Sequence, residues 1–119
     1  MLATFSIEQR IDTALRDLQC SGRDFVLIAN ERGIKISNSS FVRMTQSGFD
    51  DKLGNQLLEI LKLMKAARDE FRDIPVDWHQ HSRVAMLLTL ILMRQVAAEE
   101  GYVQLRQDAE EAIWSEKHG

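Results

Sequence analysis

Residues 84–93 read VAMLLTLILM, a run of ten positions with one threonine and no charge. A membrane span needs about 20 such residues, so this run belongs to a core or an interface. A helix that is apolar nearly all round must be enclosed on more than one side. Within the chain, the cover on offer is the set of amphipathic stripes on the other helices. Burying four further Leu or Ile side chains contributes on the order of 6–12 kcal/mol before entropy losses. The block therefore favours association of two copies through the last two helices, with Leu87, Leu88, Ile91 and Leu92 as the expected homodimer seam. The competing arrangement is a central core helix in a monomer.

The rest of the composition points the same way. A chain of 119 residues holds one domain with a real core and is too short for two independent ones. One proline and six glycines leave little room for a many-turned β-protein. Cys20 is the single cysteine and cannot form an internal disulfide, so a reducing cytoplasm is expected. The opening MLATFS leads straight into helical periodicity, and secretion is not expected. The fold class is all-α, with about six helices: an N-terminal helix-turn-helix unit packed on a long helix, and a C-terminal two-helix part. A boundary near 73–76 would separate the helix-turn-helix unit with its supporting helix (1–73) from a dimerisation or interaction part (74–119), although one compact domain would also accommodate the pattern.

Along the chain, Ser6 and Gln9 form a capping box before Ile7, Ile11, Ala14, Leu15 and Leu18, which share one helical face. Cys20, Ser21 and Gly22 end that helix. A second is predicted from about Asp24 to Gly33, with Asp24 as cap or first-turn anion. Ile34, Lys35 and Ile36 form an extended turn, and Ser37 caps a third helix over 38–47 that Gly48 stops. A fourth helix is predicted over 51–73, its stripe formed by Leu53, Leu57, Ile60, Leu61, Met64, Ala67 and Phe71. Pro75 breaks it. Asp77 and Trp78 start a fifth helix that reaches about Glu100. After a kink at Gly101, a last amphipathic helix follows with Tyr102, Leu105, Ala109, Ala112 and Ile113 on one side.

The stretch 24–48, DFVLIANERGIKISNSSFVRMTQSG, looks built for more than packing. Ala29 is a small residue where a partner helix can cross closely, and Gly33 can leave the helix in a left-handed conformation. The second helix then opens with short polar side chains able to approach base edges. Through Ala29, Gly33, Ser37, Phe41, Met44 and Gly48, the segment resembles the helix-turn-helix of Cro- and lambda-repressor-like phage regulators. The resemblance implies double-stranded DNA as partner, with the helix after Ser37 in the major groove. Carried onto this sequence, Asn38, Ser39 and Arg43 would meet base edges, Arg43 pairing with guanine and Asn38 with adenine or a phosphate. Ser37 would cap the helix, Ser40 would face the first helix of the motif, and Lys35 would sit over a phosphate. Two departures stand out. The connection between Gly33 and Ser37 is about two residues longer than usual, and Phe25 stands where the family often places a phosphate-binding glutamine.

Charge is consistent with this division. The net charge of −3 counts against nucleic acid, but residues 20–48 carry four basic and two acidic groups, and the acidic excess lies toward the C-terminus. His79 and His81, at i and i+2, do not share a helix face and have no third ligand at the right spacing, so no metal site is expected. No phosphate loop, Ser-His-Asp pattern or partnered Cys20 suggests catalysis, and neither an enzyme nor a cofactor is expected. The sequence thus reads as a cytoplasmic, dimeric, sequence-specific transcriptional regulator of phage or mobile-element type, with no membrane association. The alternative is a non-enzymatic helical protein-binding factor, an adaptor or phage-encoded inhibitor, whose acidic C-terminal face meets a basic partner.

Overall fold

The structure, a computed structural model, describes residues 5–73, 76–96 and 107–115. It is all-α: α1 (Ile7–Leu18), α2 (Gly22–Glu31), α3 (Asn38–Ser47), α4 (Asp51–Glu70) and α5 (His81–Val96) are followed by α6 at 107–115, with no strand among the described residues. The expected kink at Gly101, and Tyr102 and Leu105, lie outside the described residues.

Each early helix starts where a short polar side chain can satisfy its first N–H groups. Ser6 and Gln9 close a reciprocal capping box on α1, at 3.2 and 2.9 Å. α2 begins at Gly22, two residues earlier than the sequence suggests, because Ser21 Oγ accepts from the Asp24 N–H at 3.1 Å. That leaves the Asp24 carboxylate free for another use. Ser37 caps α3 and Asp50 caps α4. Gly33 and Gly48 have φ of +92° and +110°, backbone conformations that L side chains rarely adopt, and they end α2 and α3 as their positions in the sequence suggest.

α1 packs on α4, α2 on α3 and α5, and α4 on α5. The α1–α4 crossing is close: a Cβ at Gly54 would lie 2.6 Å from Ile7 Cγ2. Glu8 joins the same two regions, its carboxylate accepting the Phe49 N–H at 2.7 Å, and that bond holds its carboxyl below the usual range. The α4 stripe points inward as expected, with Leu57, Ile60, Leu61, Met64, Ala67 and Phe71 buried and Leu53 half-buried.

α5 corrects the expected seam. Leu87, Leu88 and Ile91 are 1%, 0% and 2% exposed, covered by the chain itself. α2 and α4 both pack on α5, so two flanking helices supply the enclosure that the apolar run demands. Of the four seam residues only Leu92 reaches the surface, together with Met86 and Met93. The start of α5 also differs from the expectation, because Asp77 and Trp78 form a turn ahead of it. The Asp77 carboxylate accepts the His79 N–H at 3.0 Å, and the Trp78 indole N–H donates to the buried Leu18 carbonyl at 2.9 Å. Pinning that indole inward sets the path of the chain into α5. One continuous buried cluster runs from Ile11 to Ala109, and Ile113 packs against it from α6. Among the described residues no helix is long and apolar enough to cross a membrane.

Candidate nucleic-acid interface

The unit α2–turn–α3 is held from beneath by aromatic side chains. Phe41 is the one fully buried residue of α3; its ring meets Phe25 edge-on at 5.7 Å and Phe49 at 5.8 Å. Phe25, where the resembled family often has a glutamine, is therefore core rather than phosphate ligand, being 0% exposed. The longer turn is also built rather than loose. Asn30 Nδ2 donates to the carbonyls of Val26 and Ile36, at 2.7 and 3.0 Å, and the Ile34 N–H returns to the Ala29 carbonyl at 2.9 Å. Ile34 and Ile36 rest against the core while Lys35 between them is exposed, which accounts for the alternating character of this segment.

At about 100° per residue, Asn38, Ser39, Val42, Arg43 and Gln46 occupy one half of α3, opposite Phe41 and Met44. All five are exposed. Ser37 Oγ accepts the Ser40 N–H at 3.1 Å and lies 2.9 Å from Ser40 Oγ and 3.3 Å from Ser39 Oγ. Arg43 Nη2 donates to Ser40 Oγ at 3.3 Å, so its guanidinium lies along the start of the helix. Ser37, Asn38, Ser39, Arg43 and Lys35 are thus all at the surface. Arg32 is instead turned away from this face, its guanidinium donating to Thr89 Oγ1 on α5 at 2.8 Å.

Two cations beside α3 escape a reading confined to 24–48. Arg16 of α1 and Arg23 of α2 line an open groove of about 630 Å³, whose other wall includes Asn38, Val42 and Thr45. Arg16 also pairs with Asp12 at 3.1 Å. No local sequence signal marks these two, because their placement depends on how α1 and α2 pack on α3.

The histidines have a structural role that the sequence does not announce. His79 Nδ1 and His81 Nε2 both meet Oδ1 of Asp24, at 2.9 and 3.2 Å. Burial by itself would raise the Asp24 carboxyl, but hydrogen bonds from His81 and Ser21, with the charge and hydrogen bond of His79, outweigh it and hold the group below its ordinary value. The cluster ties the first turn of α2 to the start of α5. Among the described residues no group of three or more His, Cys, Asp or Glu is arranged to hold a metal ion. Burial, followed by the negative charge of Asp24, pushes the Cys20 thiol up to about 12, so it is not poised as a thiolate nucleophile.

No protein-family model, no curated protein and no solved structure matches the chain.

Proposed function

We propose that the chain is a sequence-specific DNA-binding regulator of phage or mobile-element type, with α3 entering the major groove. The observation that carries this reading is the division of α3 into two halves. One is anchored by Phe41, and the other carries Asn38, Ser39 and Arg43 exposed beside the Lys35 turn. A helix of ten residues with a single buried side chain contributes little core for its length. Its polar half has the donors and acceptors that base edges require. Arg23, flanking the same helix, adds positive charge where phosphates of an entered groove would run, while the charge of Arg16 is balanced by Asp12 on the same wall.

Operator binding proceeds as a two-fold dimer, so that two recognition helices reach successive major grooves. With Leu87, Leu88 and Ile91 committed to the core, the second copy is placed on the outward side of α5, where Met86, Leu92 and Met93 are 39%, 39% and 42% exposed. Light scattering on Leu92→Asp/Met93→Asp tests this placement, with a halved mass and intact helical content expected. A wild-type protein that is already monomeric at micromolar concentration removes the dimer.

The DNA reading is tested by fluorescence anisotropy on genomic fragments flanking the gene. Arg43→Ala is expected to weaken binding to the specific site by about 1–3 kcal/mol and relax preference at one base pair. Lys35→Ala is expected to weaken all duplexes alike and reduce the salt slope by about one unit. Absence of any duplex binding by the wild-type protein at low salt overturns the reading.

A further inference from the structure

The outward half of α3 carries one apolar side chain. Val42 is 48% exposed, amid Asn38, Ser39, Arg43 and Gln46. A lone exposed valine is ordinary on a protein surface, but this one stands in a row with two amides. Asn38 and Gln46 lie four residues before and after it and share its ridge on the helix. Asn and Gln are the side chains that pair bidentately with adenine in the major groove. Val42 is therefore the apolar middle of a ridge whose two ends suit A·T pairs.

Its surroundings sharpen the apolar character. Val42 lines the open groove between α1, α2 and α3 beside Asn38 and Thr45. The Thr45 hydroxyl donates to the Val42 carbonyl at 2.6 Å, so its hydrogen is spent on the helix's own backbone. A β-branched side chain in a helix holds nearly one χ1 rotamer. The two methyl groups of Val42 are thus presented in a fixed direction and lose little freedom on contact. Base edges in the major groove offer donors, acceptors and one apolar group, the C5-methyl of thymine. A cytosine in its place would set an N4 donor against the valine without a partner.

We propose that Val42 determines specificity by packing on the C5-methyl group of a thymine in the operator half-site, an inference that rests on the DNA reading of α3. Four residues span about 6 Å of helix, so this thymine lies within about two base-pair steps of 3.4 Å from the base that meets Asn38.

The probe is a duplex of about 24 base pairs, long enough for two half-sites one helical turn apart, selected by the full chain from a random pool. It is resynthesised with deoxyuracil in place of one thymine at a time, which removes a methyl group and leaves every hydrogen-bonding edge unchanged. The wild-type protein is expected to lose about fourfold in affinity at one thymine of a half-site, the worth of one buried methyl group. Val42→Ala is expected to weaken binding to the thymine duplex by about four- to tenfold, and to bind the thymine and deoxyuracil duplexes equally. Val42→Ile, which keeps the branched methyl groups, is expected to retain the preference for thymine. Arg43→Ala is expected to bind more weakly overall yet keep that preference, because Arg43 lies about 100° round the helix from Val42. Circular dichroism checks that each variant keeps its helical content. Specific binding that no deoxyuracil substitution alters, or a preference for thymine that survives Val42→Ala, overturns this inference and leaves the DNA reading standing. Absence of duplex binding by the wild-type protein at low salt removes the DNA reading and this inference with it.

Discussion

α3 and α5 make opposite uses of the same element. α5 buries Val84, Leu87, Leu88, Leu90 and Ile91 between two neighbouring helices, whereas α3 buries Phe41 and leaves a polar half outside. Each fully buried aliphatic side chain of α5 is worth about 1.5–3 kcal/mol relative to exposure, so this helix is a main support of the core. α3 is held chiefly by one aromatic ring and a cap. The difference separates the molecule into positions that answer to stability and positions where a substitution reports on partners.

The largest expected effect is at the buried end of this comparison. Leu88→Ala removes a side chain that is 0% exposed and is expected to cost about 2–5 kcal/mol in chemical denaturation. Leu57→Ala, equally enclosed on α4, is expected to fall in the same range. A cost under about 0.5 kcal/mol at Leu88 would place it with surface substitutions and erase the contrast. Trp78→Phe keeps most of the buried ring but leaves the Leu18 carbonyl without its donor. The expected loss is about 1–3 kcal/mol, read by the same denaturation.

The Asp24 clamp is tested by pH. Its carboxyl titrates lower in the folded chain than in the unfolded one, so its contribution is fully present above the unfolded value of about 3.9. It is lost as pH falls through the lower folded value. Asp24→Asn is therefore expected to be less stable than wild type above about pH 4, the gap closing on further acidification. A gap that stays constant through this window would show that the carboxylate's charge contributes nothing to the clamp.

On α3 the effects are smaller. Ser37→Ala removes the N-cap and is expected to cost about 1 kcal/mol. Arg43→Ala is expected to shift stability by less than about 0.5 kcal/mol in thermal or chemical unfolding, because its side chain is exposed and its hydrogen bond is to the neighbouring Ser40 of the same helix. A loss comparable to that at Leu88 would mean that α3's polar half serves packing, and the contrast with α5 would fail.

Much of this was legible before any coordinates. Caps and stops depend on residues within one turn, so Ser6 with Gln9, Ser37, Gly33 and Gly48 could be read locally. Periodicity placed the faces of α1 and α4 for the same reason. The division of α3 into a Phe41 side and an Asn38–Ser39–Arg43 side likewise follows from helical geometry alone.

What sequence could not decide was which surface covers which. An all-round apolar helix demands enclosure, but periodicity does not say whether the cover is another copy or the chain's own α2 and α4. Tertiary packing chose the latter for Leu87, Leu88 and Ile91. The start of α5 was displaced because bonds spanning 55 to 60 residues, from His79 and His81 to Asp24 and from Trp78 to Leu18, prevail over the local capping signal of Asp77. Arg16 and Arg23 came to flank α3 by the same packing. Local propensity is set within a few residues of chain. Contacts between distant segments depend on the summed burial of the whole core, which no window of sequence contains.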